Sequence, residues 1–268
     1  MKRAWVVSTA ATVLIATGCG ERADICLTAC GVPIPTTVKV FATATDDTMQ
    51  AYLLTTQPLH AGLNRVYYRF SKIDNDETVT HAAVTQAPQM TMTTGAHGCP
   101  RTDPAPAADA DALFEAKLVF TMGGAGGTWS NRVQMTPEGG AAHTFDFAAL
   151  EVAASAEVGT LSSGGTDYVV TLAMSEASPH VGKNPLVVTL HAAQPDGTYV
   201  AITDAQLKLV PVMTSMGHGS PGNVNPTFVA DAEYSGVVNL SMSGGWDVGL
   251  EVRRAGVLLG TAHYVFRV

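Results

Sequence analysis

Apolar and polar residues alternate with a period of two through much of the chain. In residues 205–213, Leu207, Leu209, Pro211 and Met213 fall on one side, with Gln206 and Lys208 opposite. Val238, Leu240 and Met242 alternate with Asn239 and Ser241, and Leu118, Phe120 and Met122 with Lys117, Val119 and Thr121. Successive side chains of a strand point to opposite faces, so these segments are predicted to be half-buried β-strands with Met122 and Met242 on their apolar faces. Asp74-Asn75-Asp76, Gln194-Pro195-Asp196-Gly197 and Ser220-Pro221-Gly222 predict turns between strands. No helical period stands out, and residues 105–116 are read as at most one turn or a short helix. Many short strands per hundred residues predict an all-β chain of antiparallel sandwiches, immunoglobulin-like in outline.

The pattern repeats. Residues 58–64 (PLHAGLN) recur at 179–184 (PHVGKN), and Pro88-Gln89-Met90 recurs as Pro211-Val212-Met213. His97 recurs as His218, LVFTM at 118–122 as VNLSM at 238–242, and Trp129 as Trp246, each about 120 positions on. Ala142-His143 matches Ala262-His263, which marks either a shared site or a hydrogen bond of the fold. Matches in one order at one offset mean a tandem duplication, with copies of ordinary domain size. The first copy is assigned to residues 36–152 and the second to 167–268. Residues 153–166 (AASAEVGTLSSGGT) are small, polar and glycine-rich, and read as a linker.

The N-terminus reads as an address. Lys2 and Arg3 precede an uncharged stretch at 4–16, then Ala16-Thr17-Gly18-Cys19. A positive segment, an apolar segment and small residues before a cysteine resemble a bacterial lipoprotein signal peptide covering residues 1–18. The resemblance implies lipidation of Cys19, a tether at 19–35, and attachment to the membrane without a spanning helix. With Gly20 and Glu21 after the cysteine, it implies the outer membrane, facing the periplasm. Cleavage takes the net charge from −8 to −10. An acidic surface has no general attraction for nucleic acid. Outside the cytoplasm disulfides persist, so Cys26 and Cys30 are a candidate pair, which leaves Cys99 free.

The residues that carry candidate chemistry recur with the repeat. The second copy holds Met213, Met216 and His218 in MTSMGHG, then Met242 and Gly244-Gly245-Trp246. The first holds Met90, Met92, His97 and Cys99, then Met122 and Trp129. Met90 and His97 are seven apart against five for Met213 and His218, and the first copy inserts Ala125-Gly126-Gly127 before its tryptophan. This "Met, Gly, His" loop with a later "Met, Gly, Trp" stretch resembles the YtkA-like and FixH-like domains of bacterial extracytoplasmic proteins. The resemblance implies small sandwiches and, for some relatives, copper handling or assembly of copper oxidases. The donors suit that chemistry. Thioether sulfur needs no deprotonation and selects Cu(I), and imidazole adds a stronger ligand. The competing reading has no metal site: methionines on core faces are flexible fillers, the tryptophans are core plugs, and the chain is a structural or protein-interaction module.

Enzymatic readings find no footing. There is no G-x-S-x-G elbow and no H-E-x-x-H pair. GGAGGT at 123–128 resembles a phosphate loop but lacks its lysine. The acidic run at 74–77 lacks the alternating ligands of a calcium loop. The expectation is a non-catalytic, membrane-anchored lipoprotein of two sandwiches whose methionine and histidine loops hold Cu(I).

Overall fold

The computed structural model describes residues 38–107, 112–175 and 178–268. The expected signal peptide at 1–18 and the tether at 19–35, with Cys19, Cys26 and Cys30, lie outside the described residues. The first half contains β1 (Lys39–Thr45), β2 (Met49–Thr55), β3 (Gly62–Lys72), β4 (Ala82–Met92), β5 (Gly95–Gly98), β6 (Ala105–Pro106), β7 (Phe114–Phe120), β8 (Thr128–Pro137) and β9 (His143–Leu150). A 3-10 turn, Gly124–Gly126, joins β7 to β8. The second half contains β10 (Val158–Ser163), β11 (Thr166–Met174), β12 (Gly182–Ala193), β13 (Tyr199–Ala201), β14 (Ala205–Met213), β15 (His218–Gly219), β16 (Val224–Ala230), β17 (Glu233–Leu240), β18 (Gly245–Arg254) and β19 (Val257–Arg267).

The halves share one topology. The first has a large sheet, β1-β2-β3-β7-β6, and a small one, β5-β4-β8-β9. The second repeats them as β10-β11-β12-β17-β16, with β13 also on β12, and β15-β14-β18-β19. The chain is therefore two tandem immunoglobulin-like sandwiches, each with one added strand before the usual first one. Alternating inward residues close each core. Trp129, Tyr68, Phe70, Phe114, Phe120 and Phe145 are fully enclosed in the first, and Trp246, Tyr234 and Tyr264 in the second.

A buried polar network sets the first core apart from the second. In the first, Tyr68 donates its hydroxyl to Gln86 Oε1 at 2.7 Å, and Asn131 Nδ2 donates to both that hydroxyl and Gln86 Oε1. By strand register the counterparts are Val188, Leu209 and Val248, an apolar group in the second core. Gln86 also holds the chain after β5: its backbone N–H donates to Asp103 Oδ1 and its side-chain amide to the Thr102 carbonyl.

Two sequence expectations need correction. The supposed linker at 153–166 carries β10, which pairs with β11 from Val158↔Thr171 to Ser163↔Thr166. Its glycines are the two-residue hairpin turn, Gly164 and Gly165 at φ 59° and 80°. That backbone suits glycine and closes a tight hairpin, so the composition marks a turn, not a tether. The second sandwich thus begins at β10, ahead of residue 167. The expected helical turn at 105–116 is absent from its described residues: β6 takes 105–106 and β7 starts at Phe114.

The sandwiches meet on their large sheets. Val66 and Leu118 face the first core, so Arg65 and Lys117 project from the opposite face. Lys117 Nζ lies 2.8 Å from Glu233 Oε1 and 3.1 Å from Asp231 Oδ2, and Arg65 lies 3.4 Å from Glu233 Oε2. At one end His60 Nε2 lies 3.2 Å from Glu157 Oε2. No helix among the described residues is long and apolar enough to cross a membrane.

Candidate metal centre

Each small sheet sets a histidine, a methionine and a tryptophan in one row. In the first sandwich Met90 on β4 pairs with His97 on β5 and with Trp129 on β8. In the second, Met213 on β14 pairs with His218 on β15 and with Trp246 on β18. Directly opposed residues share a sheet face with Cβ atoms roughly 5 Å apart. The ladder also explains the unequal spacing. Residues 93–94 turn the first hairpin after the pairs Met90↔His97, Thr91↔Ala96 and Met92↔Gly95. Residues 214–217 turn the second immediately after Met213↔His218, with Gly217 at φ 67° donating to the Met213 carbonyl at 2.8 Å. Met90 and Met213 therefore correspond, Met92 belongs to an extra pair, and Met216 sits in a turn.

The imidazoles are held alike. His97 Nδ1 lies 2.8 Å from the Gly98 carbonyl, and His218 Nδ1 lies 2.9 Å from the Gly219 carbonyl. A carbonyl only accepts, so Nδ1 is the donor, and in the neutral ring the free lone pair is on Nε2. The His97 ring stands edge-on to Trp129 at 5.5 Å between centroids, and His218 to Trp246 at 6.0 Å. His97 Nε2 is buried and has no hydrogen-bond partner among the described residues. An unsatisfied buried acceptor costs about 1–3 kcal/mol, which a ligand or an ion would relieve.

Met122 and Met242 are not core fillers. Their strands stop at Phe120 and Leu240, and the two residues that continue the alternation turn out at the rim, 40 % and 37 % exposed. Their carbonyls accept the indole N–H of Trp129 and Trp246, each at 3.0 Å. That bond fixes where the chain sits ahead of each tryptophan, and in the first sandwich the Gly124–Gly126 turn absorbs the insertion without breaking it. A Cβ placed on Gly126 would touch Met122 Sδ at 3.6 Å and Met90 Cε at 3.8 Å, so these two thioether side chains converge. Met92 is partly buried against the first core. Met213 is buried, its Cε in a cradle only glycine at 244 leaves open. Met216 is 65 % exposed on its turn. The first corner thus gathers His97, Met90 and Met122 with Met92 beside them. The second pairs His218 with Met213, with the exposed Met242 held at the same rim through its carbonyl and Met216 turned to solvent.

Other candidates take structural roles. Cys99 is buried and free, and burial pushes its thiol up to about 12, so it is not a ready thiolate. The GGAGGT segment is glycine-rich for contact: a side chain at Gly123 would strike the backbone of Ala154, and one at Gly127 the Thr91 carbonyl. The recurring Asn64 and Asn184 tie their loops, accepting from the backbone N–H of His60 and His180 and donating to their carbonyls. His143 and His263 are not equivalent. Register matches His143 to Gly260; His143 bonds Asp46 at 2.6 Å, whereas His263 bonds Asp247 on β18. Among the described residues no three His, Cys, Asp or Glu cluster as a metal group. Any ion here would rest on imidazole and thioether together. The inter-sandwich pair His60–Glu157 and the buried His191 escaped sequence reasoning, since their partners and burial come from the other sheet or sandwich.

No family model matches this chain, and no curated protein does. Among solved structures it is similar to domains 5-6 of the S-layer protein SbsC, at 11 % identity and a TM-score of 0.29, over 86 % of this chain and 95 % of that one.

Proposed function

We propose that this chain is a membrane-anchored extracytoplasmic lipoprotein, non-catalytic, that binds Cu(I) through its methionine and histidine corners. The observation that carries the reading is the buried Nε2 of His97, without a hydrogen-bond partner among the described residues, on the ladder partner of Met90, whose methyl and the Met122 sulfur both approach Gly126. The His97 tautomer is already that of a metal ligand, because the second nitrogen is committed to a carbonyl. Soft sulfur with one imidazole selects Cu(I) over harder divalent ions. The YtkA-like and FixH-like resemblance supports a role in copper handling or oxidase assembly, and the signal-like N-terminus supports attachment through Cys19 to the outer membrane. A second reading, a structural or protein-interaction module, draws support from Met90 and Met213, both buried in their cores.

Competition for Cu(I) against a chromogenic chelator separates the two. Wild type is expected to withdraw copper from the chelator, and His97→Ala to weaken binding at that corner at least about tenfold, the loss of one good ligand. Wild type and the His97→Ala, His218→Ala double variant competing equally poorly would leave the module reading standing.

A further inference from the structure

Residues 99–103, which follow β5, form a strap that leads straight on from His97 and Gly98 at the end of that strand. On one side it is stitched to its own sandwich: Val119 N–H donates to the Pro100 carbonyl at 2.9 Å, Thr102 N–H to the Lys117 carbonyl at 3.1 Å, and Gln86 grips Thr102 and Asp103. On the other side it meets the second sandwich. A Cβ on Gly98 would lie 3.4 Å from the Pro88 carbonyl and 3.7 Å from the Gly197 carbonyl. Cys99, Pro100, Arg101 and Asp103 line a gap of about 250 Å³ whose far wall is Thr198 and Tyr199. The facing turn is firm: Gly197 N–H donates to the Gln194 carbonyl at 3.0 Å and Thr198 N–H to Asp196 Oδ1 at 2.9 Å. At the equivalent Gly219 no described residue of the other sandwich comes as near. A Cβ on Gly219 would meet only the Pro211 carbonyl among the described residues.

We infer that the second sandwich positions the donor corner of the first: its 194–199 turn braces the His97 strap, so ion binding at that corner depends on docking of the two sandwiches. This rests on the Cu(I) reading for its ligand but not for its geometry. Tyr199 is then a positioning residue. Glu233, which holds the joint through Lys117 and Arg65 on the large sheets, acts at a distance from the small sheet. The second corner, with no such brace among the described residues, serves as the internal control.

The test uses the full chain. Tyr199→Ala and, separately, Glu233→Lys are made in a His218→Ala background, which isolates the first corner, and in a His97→Ala background, which isolates the second. Each is expected to weaken Cu(I) at the first corner about tenfold, within the ordinary range of coupling between sites, and to leave the second unchanged. Amide hydrogen exchange without metal is expected to quicken at residues 97–101 and not at 218–222. No change at the first corner, or equal loss at both, would overturn the inference. If neither background binds Cu(I), the copper reading fails and exchange alone decides: unaltered protection at 97–101 overturns the brace, and selective loss there upholds it.

Discussion

Trp129→Ala is expected to cost about 3–5 kcal/mol of unfolding free energy, the largest effect of any single substitution considered for this chain. The ring is fully enclosed, packs on Phe120 at 4.8 Å and walls the His97 ring. Its indole N–H also donates to the Met122 carbonyl just beyond β7, so truncation frees the rim that presents Met122. Trp129→Phe keeps most of the apolar area but deletes that donor. Its expected cost is smaller, about 1–2 kcal/mol, with Cu(I) affinity at the first corner lowered as well. Urea unfolding of both variants checks the pair. An alanine variant within about 1 kcal/mol of wild type would mean that the ring is not the keystone of this core.

Acid is expected to destabilise the second sandwich through His191. Leu190 and Ala192 face its core, so His191 projects from the opposite face of β12, where it is buried and its Nδ1 has no hydrogen-bond partner among the described residues. Burial drives its pKa down to about 4. A histidine near 6.5 when unfolded and near 4 when folded binds more protons in the unfolded chain between those values. Stability is therefore full above about pH 6.5 and lost as pH falls toward 4, by about 3 kcal/mol at most. His191→Val is expected to flatten that limb. An unchanged slope in the variant between pH 6.5 and 4 would assign the acid loss elsewhere. His60 has the opposite sign: hydrogen bonding to Glu157 raises its pKa against the pull of burial. Its contribution to the joint is complete below the unfolded value and disappears as pH rises through the folded one.

How much of this was legible in the chain depends on whether the cause was local. The alternation in 205–213 reads directly as β14, with Leu207, Leu209, Pro211 and Met213 inward. It misleads at Met122 and Met242, because alternation continues past the point where the neighbouring strand stops offering a partner. The repeat was readable from residue order, and the structure shows that its two asparagine loops and two tryptophan bonds are the same devices. The histidines near the two C-terminal strands matched by sequence yet differ by register, since only pairing across β8–β9 and β18–β19 sets equivalence. The Tyr68–Gln86–Asn131 network joins three strands distant in sequence, and a glutamine among inward positions carries no sign of its partners. For the donor corner, residue types and order were visible. The tautomer of His97 and the isolation of its Nε2 were not, because both follow from a neighbouring carbonyl and from packing.

Copper K-edge X-ray absorption of the Cu(I)-loaded full chain tests the central claim most directly. We predict sulfur and imidazole nitrogen together in the first shell, with the histidine signature reduced in His97→Ala and the sulfur shell reduced in Met90→Leu. Copper that binds with no sulfur scatterer, or with a spectrum indifferent to both substitutions, would contradict the account.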